Sequence, residues 1–358
     1  MKRIVWALVV VAALAAAACG HDAQPRAVWR PYFQPFAPNS PLRTPLPQNV
    51  RIHRHSQEMI ADLYGHCRQP RLGACKFPRL AGATGPGESF SDFGAPIYLA
   101  AAADKARIVT CTRFPCGVEG TRGEDTRVLF GVPIPGAARP DPSSDAHMVV
   151  YDPTKKLSWE MFGAQYSLGT GHWKTQGGIR WNLGGPGYDA IGEPGTAVGA
   201  GVPLFGTLLT PEDVRRALHD GTGVVPHVLS GGYDSPRTKC FIGPLAKATD
   251  GDDGRMWAIP EGAILQLDPT IDVDHLGLSP AGRVIARTLQ QYGLVIRDDA
   301  GAFTIDVENV SAEATVYPGR AHLWDTLGVH KDSLQVLQGN LFRVVAWSPS
   351  QAHGSNCL

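Results

Sequence analysis

The strongest constraint on this chain is how often it is interrupted. It carries 41 glycines and 29 prolines among 358 residues, and both residue types end helices and mark turns. Long helices are therefore excluded, and the segments between turns are short enough to read as strands. Strand-like runs are "IYLAAAA", "ARIVTCT", "TRVLFGVPIP", the pair within "DAHMVVYDPTKKLSWEMFGAQ", and "GGIRWNL". With 43% hydrophobic residues and 8 tryptophans the chain can bury a sizeable core. The expected fold class is mainly β with helical insertions, a single β-sandwich or jelly-roll-like domain.

Three helices carry end signals. Ser56 can cap "SQEMIADLYG", with Gly65 as a left-handed stop. "TPEDVRRALHDG" has Thr210 as cap, Pro211 at the first position, Asp213 three residues after the cap and Gly221 at the exit. From Ser279, "SPAGRVIARTLQQYG" puts Val284, Ile285, Leu289 and Tyr292 on one face before Gly293. The following "LVIRDDAGAFTIDV" reads as a hairpin turning at Asp298 to Gly301. No internal repeat or second linker appears, so residues 49–358 form one domain behind a Pro-rich lead-in at 19–48.

Residues 1–18 have the plan of an export signal: Lys2 and Arg3, an apolar run from Ile4 to Ala18, then small residues. The run is too short to favour a stable membrane span. The leader resembles a bacterial lipoprotein signal, which implies lipidation of Cys19 and membrane attachment of an extracytoplasmic protein. Ala16 replaces the usual leucine three residues before that cysteine, so cleavage by an ordinary signal peptidase, giving a secreted protein, stands as the alternative. If Cys19 carries lipid, six cysteines remain, an even number that reads as disulfides in an oxidising compartment. Short spacings suggest Cys67 with Cys75 and Cys111 with Cys116, leaving Cys240 for Cys357, although six cysteines allow 15 pairings.

Lys plus Arg equals Asp plus Glu at 33 each, so no global field recruits nucleic acid. "TDGDDG", with Asp250, Asp252 and Asp253, lacks the spacing and closing Glu of a calcium loop and reads as a solvated turn. No cysteine/histidine zinc spacing, phosphate loop or GxSxG elbow occurs. No metal and no cofactor are expected.

The chemistry-bearing residues concentrate between Asp145 and Trp181. Alternation puts His147, Val149 and Tyr151 on one strand face. Glu160 joins that face if the connecting loop has two residues, 153–154, or four, 153–156; His147 and Glu160 are then directly opposite or diagonal. A carboxylate beside an imidazole suits general-base work near neutral pH. Glu160 with Asp152, or with Asp92 of "SDFG", could instead flank a glycosidic bond. The plainer readings are a surface pair or a satisfied buried hydrogen bond for His147 and Glu160, and a turn former for Asp152 ahead of Pro153. His227 in "GVVPHVL" is a further candidate that also reads as a core histidine. Trp173, Trp181 and Tyr151 could bind substrate, the tryptophans by stacking on sugar rings, against the alternative of core packing.

The ordered blocks "SDFGAPIYLA", "VPIPGAARPDPSSDAHMVVYDP", "WEMFGAQ", "GVPLFGTLLTPEDV", "IPEGAILQLD" and "VIARTLQQYGLVIRDDAG" resemble a largely uncharacterised family of secreted bacterial proteins. With the flanking blocks the resemblance spans roughly Pro31 to Trp347 and carries no mechanism. In size, export and sandwich architecture the chain is similar to jelly-roll proteins that bind or cleave polysaccharides, an analogy of fold alone. The expected function is a hydrolase or lyase acting on a polysaccharide or cell-envelope glycan. The alternative is a non-catalytic carbohydrate- or envelope-binding lipoprotein, which would expose aromatic residues without a convergent acid/base pair.

Overall fold

A computed structural model describes residues 33–66, 76–84, 93–121 and 126–357. Cys19, Cys67, Cys75 and Asp92 lie outside the described residues. The chain is mainly β: 17 strands among the described residues form several sheets, and the helices are few and short.

The central sheet has five strands in the order Ile97–Leu99, Met148–Asp152, Leu157–Phe162, Gly177–Asn182 and Cys116–Val118. Its middle three are antiparallel and its two outer strands add in parallel. Every residue of Met148–Asp152 is buried, so this sheet is covered on both faces rather than half solvated. Alternation splits its apolar side chains between two cores. Val149, Tyr151, Ile179 and Trp181 pack on one side, and Met148, Val150, Trp159 and Met161 on the other.

A third core lies between helices and a four-stranded sheet in the order Leu229–Tyr233, Leu294–Asp299, Ile264–Leu267 and Phe342–Val344. Helix α1 (Ser56–Gly65), α2 (Pro211–His219) and α3 (Pro280–Gln291) feed Met59, Val214 and Leu289 into it. Both end signals of α2 are realised: Thr210 and Asp213 form a reciprocal capping box, and Gly221 adopts φ 67°. Ser279 caps α3, and its expected apolar face is buried.

Two local expectations are corrected. Helix α1 starts on Ser56 itself, because the serine Oγ accepts from Val344 N at 2.8 Å instead of capping, and Gly65 is the last helical residue without a left-handed turn. The 294–307 segment is not a hairpin. Leu294–Asp299 pairs with Leu229–Tyr233 and Ile264–Leu267, while Thr304–Asp306 runs parallel to Arg79–Ala81. Distant partners outcompete the local turn.

Two of the expected disulfides join described residues, Cys111 to Cys116 and Cys240 to Cys357, the second closing a separation of 117 residues.

Candidate functional site

In the 148–162 hairpin Asp152 pairs with Leu157 and Val149 with Glu160, so the loop is the four-residue one. His147 and Glu160 share a face as diagonal neighbours, yet no hydrogen bond or ion pair joins them. Glu160 is held elsewhere: Oε2 accepts from Trp181 Nε1 at 3.0 Å and Leu204 N at 2.8 Å, and Oε1 from Phe205 N at 2.9 Å. Its side chain is buried. Burial pushes the carboxyl up to about 7 against these donors. This carboxylate knits the 204–205 backbone to the central sheet.

The other sequence candidates have comparable structural duties. Asp152 accepts from Thr154 N and Lys155 N at 2.9 and 3.0 Å, which makes it the turn former. His227 is buried, with Nδ1 2.8 Å from Val228 O and Nε2 3.6 Å from Asp213 Oδ2. Burial lowers its pKa, but the Asp213 contact and charge leave it raised overall. Tyr151 stacks on Phe33 and lies tilted against Phe205, each ring 4.9 Å away. It and Trp181 are only 1% exposed, and Trp173 5%. The expectation of sugar-stacking faces on these three is therefore corrected: their rings are core.

What the sequence missed is a cavity of about 670 Å³ whose wall includes Asp145, His147, Arg297, Asp298 and Asp306, with Phe93 beside them. The residues come from four separated segments. Asp145 and His147 lead into Met148–Asp152, the second strand of the central sheet, and so line the cavity where that strand begins. Arg297 and Asp298 are adjacent on Leu294–Asp299, where strict alternation would send them to opposite faces. The pairing with Leu229–Tyr233 slips there, Gly231 facing Ile296 and Gly232 facing Asp298, and such an irregularity re-aims side chains so that both line the cavity.

Phe93 owes its place to two glycines. A Cβ on Gly82 would lie 2.9 Å from Gly94 Cα and 2.3 Å from Val307 O, so only glycine lets these backbones touch. Phe93 itself has φ 60°, costly for a bulky residue, and its ring is 48% exposed. Strain of this kind gathers where function requires it.

The electrostatics of the wall are uneven. Arg297 is buried, with Nε 2.7 Å from Asp306 Oδ2, while its Nη1 has no hydrogen-bond partner. His147 Nδ1 also lacks one. Burial, reinforced by the Arg297 charge, pushes His147 down to about 3, so its ring is neutral at physiological pH. Burial raises Asp145, Asp298 and Asp306 above the ordinary carboxylate range, Asp298 most of all because Asp250 adds its charge. The cavity wall thus combines carboxylate acceptors with a buried guanidinium and an uncharged imidazole.

Comparison with known proteins finds no matching family model, no matching curated protein and no matching solved structure.

Proposed function

We propose that the protein hydrolyses a glycan bound in this cavity. The reading rests on one observation: carboxylates from separate segments line an open cavity together with a buried arginine, a neutral imidazole and an exposed aromatic residue. A hydroxyl-rich neutral ligand needs that mixture of acceptors and donors, and the Phe93 face suits the C–H surface of a pyranose. Asp145, raised by burial, is the proton donor to the leaving oxygen. Asp306, with Arg297 supporting its negative form, faces the developing oxocarbenium charge. Arg297 braces Asp306, and the neutral His147 ring lines the wall beside them.

In this reading the protein works outside the cytoplasm, tethered by lipid on Cys19, and its central sheets form a sandwich elaborated by helices. The cell-envelope polysaccharides are its substrate class.

Purified protein incubated with a polysaccharide panel is expected to release new reducing ends. Asp145→Asn and Asp306→Asn should each lower turnover by about 100-fold or more while the protein still melts cooperatively. Folded variants as active as the wild type would reject the assignment. Ultraviolet-absorbing unsaturated products would make the enzyme a lyase, and binding without any product would favour a carbohydrate-binding lipoprotein.

A further inference from the structure

Asp250, Glu261 and Asp298 belong to three separate stretches of chain, yet each places a carboxylate oxygen within 4.8 Å of the other two. Glu261 is completely buried ahead of the Ile264–Leu267 strand. Its Oε2 accepts from Asp250 N at 3.0 Å, and its Oε1 has no hydrogen-bond partner. Asp298 Oδ1 accepts from Gly199 N at 3.3 Å. A Cβ on Gly199 would fall 2.1 Å from Asp250 Oδ1, so the loop presses that carboxylate toward the other two.

No Lys or Arg forms an ion pair with any of the three among the described residues. Arg297, whose charge reaches Asp298, directs its Nε to Asp306 instead. Three carboxylates this close either hold protons or share a cation, and a buried carboxylate oxygen with no donor offers such a cation a coordination position.

We propose that Asp250, Glu261 and Asp298 bind a calcium ion. An oxygen-only donor set selects a hard cation. Calcium accepts irregular geometry and completes its shell with backbone carbonyls and water, whereas magnesium demands a near-ideal octahedron. The ion ties the 199 loop, the 250 turn and the end of the Leu294–Asp299 strand together at the margin of the cavity. The site stands independently of glycan hydrolysis, since the ion can bind whether or not the cavity turns over any sugar.

Equilibrium dialysis of chelator-treated full-length protein against radioactive calcium tests this, up to about 1 mM, the weak end for such sites. The expected result is a single ion per chain, a melting temperature raised by calcium, and no equal competition from magnesium. Asp250→Asn, on the exposed side of the cluster, should weaken binding by about tenfold or more, as should Glu261→Gln. Asp252→Asn, exposed in the same turn but outside the trio, should bind like the wild type. No bound ion in the wild type, or unchanged affinity in folded Asp250→Asn protein, overturns the proposal. Equal affinity for magnesium overturns the choice of calcium.

Discussion

Glu160 shows how much a residue's meaning depends on what surrounds it. As a residue type on a strand it looked available for chemistry; in place, three N–H donors and complete burial make it part of the scaffold. Its pKa then becomes a statement about folding. The unfolded carboxyl titrates near 4.5 and the folded one near 7, so between these values the folded state holds more protons and wild-type stability falls as pH rises. Glu160→Gln removes that slope. Denaturant unfolding of both proteins across this window should show the variant gaining about 3 kcal/mol relative to the wild type by the alkaline end. Parallel pH profiles would mean that the three donors offset burial after all. His147 was the one wall residue singled out from sequence, and for a partner it does not use.

At the scale of elements, legibility follows locality. Helices α2 and α3 were readable because their start and stop signals lie within a few residues of one another: Thr210 with Asp213, Ser279 with Gly282. Thr210→Ala removes the hydroxyl that accepts from Asp213 N and loosens the carboxylate that faces His227. We expect a loss of about 1 kcal/mol, measurable by denaturation, with α2 still formed. A change below a few tenths would mean that tertiary packing alone holds this end. The 294–307 segment was misread because its partners at 79–81, 229–233 and 264–267 carry no signature in its own residues. The same holds for the cavity and for the carboxylate trio. Their members meet through sheet order, a register slip and close loop packing, none of which leaves a spacing to detect.

For the whole molecule, the two disulfides joining described residues make unequal contributions. The chain-entropy model gives about 2 kcal/mol for a loop as short as that of Cys111–Cys116 and between about 4 and 5 kcal/mol for one as long as that of Cys240–Cys357. Replacing both cysteines of the long bridge by serine should therefore lower the unfolding free energy by more than the same change in the short one. The opposite order would show that the short bridge holds native structure rather than limiting the unfolded chain. The mainly β class was legible because composition is a global property, and two of the three expected bridges, Cys111–Cys116 and Cys240–Cys357, because an even cysteine count and one short spacing suggested them. The covering of both central-sheet faces was not, since it depends on segments far away in sequence.

One junction has a further consequence. The segment leading into α1 is fastened to the last strand of the helix-covered sheet: His53 N donates to Val344 O at 2.8 Å, Ala346 N to Arg51 O at 2.8 Å, and Ser56 Oγ receives Val344 N. During synthesis the residues near 52 leave the ribosome almost 300 residues before their partners exist. Contacts that far apart in sequence are slow to form. This junction therefore closes only after translation has passed residue 346, although partners of α1 at Arg255 and Phe303 exist earlier, and until then the edge of the Phe342–Val344 partner segment stays open.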